Sequence, residues 1–257
     1  MLEIPFLEGG SPFGYIFAHN MDEVFVDLGI FSITKYTLNL WLASGLLLMC
    51  VTLAKKTTAI PQGVFRYLFE SLFLFIRDEL VYPTMGAKHG RVFLPFFMTV
   101  FSLILTLNLV GMFPLPYIGG ATTSNIGFTI PMALAVLIGS IGGGLIVNGP
   151  GGFVKSFIPS GLPTAIVPVI FILELVGFFI KHGVLAIRLF ANMLGGHLVT
   201  GAFLGLIFLF QSYGVAGASI PMAVFIGFIE LLVAFLQAYV FTLLAVLFIG
   251  GTVHPDH

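Results

Sequence analysis

The stretch from Gly177 to Val199, GFFIKHGVLAIRLFANMLGGHLV, sets Arg188 within apolar sequence too long to belong anywhere but a membrane. A fixed cation at that depth costs about 2.5 to 3.5 kcal/mol on insertion scales, so its presence marks a functional site. Between Val92 and Val253 the only charged residues are Lys155, Glu174, Lys181, Arg188 and Glu230. Charged residues make up 8% of the chain and hydrophobic ones 58%, against about 25% charged in soluble domains. The chain is therefore an all-α integral membrane protein. Its net charge of −1 gives no footprint for nucleic acid. The single Cys50 excludes an internal disulfide, and Met1 to Gly10 lacks the basic start and apolar core of a cleavable signal. The N-terminus is accordingly read as mature.

Residues 1–34 are expected as an N-terminal segment on the outer side, and 35–257 as one membrane domain. Spans are expected over about 36–53, 93–113, 126–147, 164–210 and 220–251. Residues 63–82 mix Arg66, Glu70, Arg77, Asp78 and Glu79 with Phe and Leu at helical spacing, the pattern of an interfacial amphipathic helix. Lys55, Lys56, Arg66, Arg77, Lys88 and Arg91 all fall between the first two spans. The positive-inside rule puts that segment, and later Lys155, on the inner side. The N-terminus is then outside and the C-terminus inside.

The run 164–210 would be about 70 Å long as a helix, and 220–251 roughly 48 Å, against a hydrocarbon core of about 30 Å. Both are expected to be strongly tilted. Between them Gln211 to Ser219, QSYGVAGAS, has the glycines and small polar residues of a turn. Antiparallel arms about a turn centred near Tyr213 bring together residues whose numbers add to about 426. That sets Arg188 opposite Gln237 and His197 opposite Glu230. On the first arm Glu174, Lys181 and Arg188 recur every seven residues, and Asn192 lies one turn beyond Arg188. His197 is rotated about 180° from Arg188.

These residues resemble subunit a of the F-type ATP synthase, the membrane stator that conducts protons past the rotor ring. Ala186 to Leu198, AIRLFANMLGGHL, is similar to the family's central motif, with Arg188 at its essential arginine and Asn192 at its asparagine. Lys55-Lys56, the GGFVK run ending at Lys155, Asn108 in TLNLVGMFP, Glu174, Lys181 and the FLQAYVF run around Gln237 follow in the family's order. In some bacterial members a Glu stands at the place of His197 and a His at that of Glu230. Here the two are exchanged, as is common in mitochondrial members, which preserves an acid and imidazole pair. Where the family often has Asp, this chain has Gly111 and Asn125, which removes two carboxylates from any outer relay.

The resemblance implies two offset half-channels against a rotor ring. Arg188 separates them and forces the rotor carboxylate to release its proton. His197, Glu230, Asn192, Gln237, Asn108 and Asn125 would belong to the outer path, and Glu174 and Lys181 to the inner one. It implies as partners the multi-copy rotor ring, a b-type peripheral stalk and the other synthase subunits, in an energy-coupling membrane, with no cofactor, no metal and no catalysis by the chain alone. Arg suits a gate because it does not release its proton in proteins, whereas a buried Lys does so readily. Structural readings stand beside these: His197 with Glu230 as a register pair, Glu174 and Lys181 as a solvated face, and Asn108 and Asn125 as interhelical hydrogen-bond glue. Gln237 reads as a partner for Arg188, since an amide does not titrate. A self-contained secondary ion transporter is the alternative, although the internal repeats expected of one are not evident. The glycine runs Ile141–Gly144 and Asn148–Gly152 lack the phosphate-loop pattern and read as close packing or a turn.

Overall fold

The computed structural model describes residues 24–27, 32–54, 64–112, 122–158, 163 and 166–253. Most of residues 1–34, the Lys55–Lys56 pair, the expected loop at Pro114 and Pro116 and the start of the fourth span lie outside the described residues. Nearly all the rest is helix, as the composition requires. A short antiparallel ribbon, β1 (Val24–Asp27) and β2 (Ser32–Thr34), leads directly into α1 (Lys35–Ala54). Then come α2 (Val64–Phe75), a π-helical turn (Ile76–Val81), α3 (Tyr82–Met112), a 3₁₀ turn (Thr122–Ser124), α4 (Ile126–Lys155), α5 (Val167–Phe210) and α6 (Tyr213–Val253).

Four helical stretches among the described residues are long and apolar enough to cross a membrane: Tyr67–Met112, Ile126–Lys155, Val167–Ile207 and Tyr213–Val253. The expected first span forms as α1, of 20 residues, but it is not among those four. Large apolar side chains face outward along the long helices, with Ile138 68%, Ile146 85%, Phe179 52% and Phe228 69% exposed. Exposure on that scale would be a liability in water but suits lipid.

One expectation holds and one is corrected. The segment expected as an amphipathic helix is helical, α2 continuing through the π turn into the first residues of α3, and it ends before the expected second span. Pro83 comes two residues after that turn, and a widened turn relieves the clash a proline makes with the carbonyl four residues back. The break comes at Gly86, whose φ of 68° and ψ of 164° lie in a region open in practice only to glycine. The turn expected over Gln211–Ser219 is shorter. Only Gln211 and Ser212 are non-helical, Gln211 with φ of 45°, and α6 starts at Tyr213 rather than Ile220. The Ala216 N–H donates to the Ser212 carbonyl at 2.9 Å, so the helix begins at once. In a membrane, closing such bonds outweighs the poor helix propensity of Gly214 and Gly217.

The chain divides into two compact units, and α1, α3, α5 and α6 each contribute to both. The first comprises Met1–Leu48, Leu103–Asn125 and Leu189–Gln237. Its buried residues include Leu107, Asn108, Met193 and Ala234. The second comprises Met49–Ser102, Ile126–Arg188 and Ala238–His257. There the glycine run of α4 permits close approach: a Cβ on Gly143 would lie 3.0 Å from Phe93 and 3.2 Å from Val253, and one on Gly139 3.1 Å from Ile249. The Asn148 amide donates to the Thr252 and Val253 carbonyls at 2.8 and 3.1 Å, pairing groups that a helix end leaves open. Gly149 then breaks α4 with φ of 68° and ψ of 172°, and Pro150 restarts it where a missing N–H costs nothing.

Candidate functional site

In the first unit, the described parts of α5 and α6 on either side of the Gln211–Ser212 turn meet through polar side chains. His197 Nδ1 lies 3.2 Å from Glu230 Oε1, and the two side chains are 14% and 8% exposed. The distance suits charge attraction, although the carboxylate oxygen is not aligned as a hydrogen-bond acceptor. Thr200 donates to the other carboxylate oxygen at 3.5 Å. Gly196 gives the carboxylate its room, since a Cβ there would stand 3.0 Å from Glu230 Oε1 and 3.2 Å from Cδ and Cγ. A titratable acid and an imidazole are thus held together inside apolar helices, an arrangement able to pass a proton.

About two turns away, the Asn192 amide donates to Gln237 Oε1 at 2.6 Å. Gln237, expected opposite Arg188, uses its carbonyl oxygen for this neighbour one turn further along. Its own amide nitrogen is buried with no partner among the described residues. Asn108 on α3 is fully buried. It donates to the Ala234 carbonyl at 3.2 Å and accepts from Thr123 Oγ1 at 2.8 Å, so it joins α3, α6 and the 3₁₀ turn. Asn125 follows that turn, its backbone N–H donating to the Thr122 carbonyl at 3.1 Å. Thr123 and Thr200 were not foreseen, because threonine among apolar residues gives no signal until its neighbour across the fold is known.

In the second unit, Arg188 is half-exposed between exposed Ile187 and buried Leu189. It makes no hydrogen bond or ion pair with the described residues of that unit. Glu174 and Lys181 are exposed on α5 and make no hydrogen bond or ion pair among the described residues. The sequence reading also passed over His182, which is only 3% exposed although it adjoins Lys181. An imidazole one residue into the central apolar run was the available clue.

Long helices clad in outward apolar side chains, with an acid–imidazole pair and an arginine in their apolar sequence, define a multi-pass α-helical membrane protein with titratable groups in its spans. Within that class the chain belongs to the ATP synthase A chain family, which it matches over residues 37–250. It is 40% identical to ATP synthase subunit a of Myxococcus xanthus over 88% of this chain and 76% of that protein. It is 41% identical to ATP synthase subunit a of Anaeromyxobacter dehalogenans over 87% of this chain and 59% of that protein. With the Chloroherpeton thalassium protein of the same name it shares 37% over 96% and 74% of the two lengths.

Proposed function

We propose that the chain is the proton-translocating stator subunit in the membrane part of an ATP synthase, with Arg188 as the gate between two half-channels. It holds no nucleotide and catalyses nothing alone. The observation that carries this reading is a half-exposed Arg188 in apolar sequence without an acceptor in its own unit. A guanidinium so placed attracts a carboxylate supplied by another subunit. As an acidic side chain on a rotor ring comes near, the fixed cation favours its ionised form and the proton leaves. Because arginine keeps its own proton, none crosses directly from one half-channel to the other.

His197 and Glu230 serve the outer half-channel as the titrating pair. Asn192, Gln237, Asn108 and Asn125 order water and hydrogen bonds along it, which gives the buried Gln237 amide a use. Glu174 and Lys181 serve the inner half-channel, and their exposure on α5 suits contact with an aqueous path. The N-terminus lies outside and the C-terminus inside an energy-coupling membrane. The rotor ring and a b-type peripheral stalk are the direct partners. Arg188→Lys tests the gate, since lysine keeps the charge but can lose its proton. In inverted membrane vesicles the variant complex should assemble yet lose ATP-driven proton pumping, and undiminished pumping refutes the role.

A further inference from the structure

His182 lies six residues before Arg188 on α5, in the same unit, and plays no part in the path described above. Its Nδ1 is 2.8 Å from the Phe178 carbonyl one turn back, so that nitrogen carries a hydrogen and donates it. Its Nε2 is 3.2 Å from Ser140 Oγ on α4. The ring stands between Phe178 and Phe248, with centroids 4.7 and 4.8 Å away, and Phe248 belongs to α6. The Ser140 carbonyl in turn accepts from Thr252 Oγ1 on α6 at 2.9 Å. Three helices therefore meet at one polar node. Apolar contacts tolerate small shifts of one helix along another, whereas a hydrogen bond is confined to a narrow range of distance and angle. A slip of one residue moves a helix by about 1.5 Å and turns its side chains by about 100°, which would break the contact between His182 and Ser140.

We infer that the His182–Ser140 contact is the pin that sets the depth and rotation of the α5 segment carrying Arg188, making His182 a positioning residue for the gate. The inference rests on the reading of Arg188 given above. An imidazole is otherwise expensive in a span, and the Ser140 hydroxyl, which also lies 3.0 Å from the Val136 carbonyl on its own helix, is the polar side chain that the ring's Nε2 meets among the described residues. Misplacing a reacting group by about 1 Å costs on the order of 100-fold in rate, so a loosened pin weakens the gate without removing any gate residue.

The test uses the whole ATP synthase in inverted vesicles, with pumping and ATP hydrolysis measured per assembled complex. His182→Leu and Ser140→Ala should each keep hydrolysis and lower pumping about tenfold or more. The double variant should be no worse than either single. His182→Gln, whose amide can still meet Ser140, should recover most of the loss. A merely structural role would lower the amount of complex and leave pumping per complex unchanged. Wild-type pumping in Ser140→Ala overturns the pin, as does additive loss in the double variant or a His182→Gln as poor as His182→Leu. Should His182→Leu fail to assemble, Ser140→Ala alone decides, because it removes one hydroxyl and keeps the packing. Arg188→Lys measured alongside separates the two ideas. If it pumps normally the gate reading falls and the pin with it, whereas an inactive Arg188→Lys beside a normal Ser140→Ala removes the pin alone.

Discussion

At the scale of single residues, the distance between His197 Nδ1 and Glu230 Oε1, 3.2 Å, makes exchange the informative experiment. His197→Ala and Glu230→Ala should each slow proton passage by about tenfold or more, the contribution of a positioned acid or base. The double variant His197→Glu with Glu230→His should regain part of the rate, because it keeps one acid and one imidazole at the same place. Full rates in both single variants would take the pair out of the path. Asn108→Leu should lower stability by about 1 to 3 kcal/mol, since it leaves the Ala234 carbonyl and the Thr123 hydroxyl buried without this partner. Thermal unfolding in detergent measures that. The pairing of His197 with Glu230 could be read from the sequence because a hairpin with a short turn fixes which numbers meet. Gln237 was harder to place. Arg188 and Asn192 stack one turn apart on α5, and counting residues does not say which of two stacked side chains an opposing amide will choose. The helix-joining roles of Thr200, Thr123, His182 and Ser140 depend on which faces meet, and one helix's pattern does not contain that.

At the scale of elements, the hydrophobic runs located the helices, and the errors fell at their ends and joints. The turn after α5 was read as nine residues long from its glycines and serines, yet α6 absorbs Tyr213 to Ser219. Composition signals a turn through backbone freedom, but in a membrane the need to pair each N–H overrides that freedom. The opposite holds at Asn148–Gly152, where the expected span ended at 147 and α4 does break at Gly149. Gly149→Ala should cost about 1 to 3 kcal/mol, because φ of 68° with ψ of 172° is closed to a side chain. Gly151→Ala, two residues later, sits in helix with nothing within 4 Å of the added carbon. It should be neutral or stabilising by up to about 1 kcal/mol. Thermal denaturation of the two variants side by side checks the contrast, and equal losses would contradict the assignment of the break.

At the scale of the whole molecule, the membrane class was legible from composition alone, whereas the division into two units was not, since it cuts through α1, α3, α5 and α6. The charge asymmetry read from the sequence predicts a labelling pattern. With Cys50 replaced by Ser, a cysteine at Lys155 should react with an impermeant thiol reagent only from the inner side of sealed vesicles. Reaction from the outer side would invert the topology. On the proposed reading, in which a carboxylate from another subunit meets Arg188, the purified chain alone in liposomes should show no ion flux coupled to a second gradient; such flux would favour a transporter. The link between α5 and α6 carries a mechanical corollary. Two residues, one of them held at a φ of 45°, leave no slack to take up a push on either neighbouring arm. A sideways load at that end must bend both together, so His197 and Glu230 keep their spacing under strain that a floppy connection would have turned into separation.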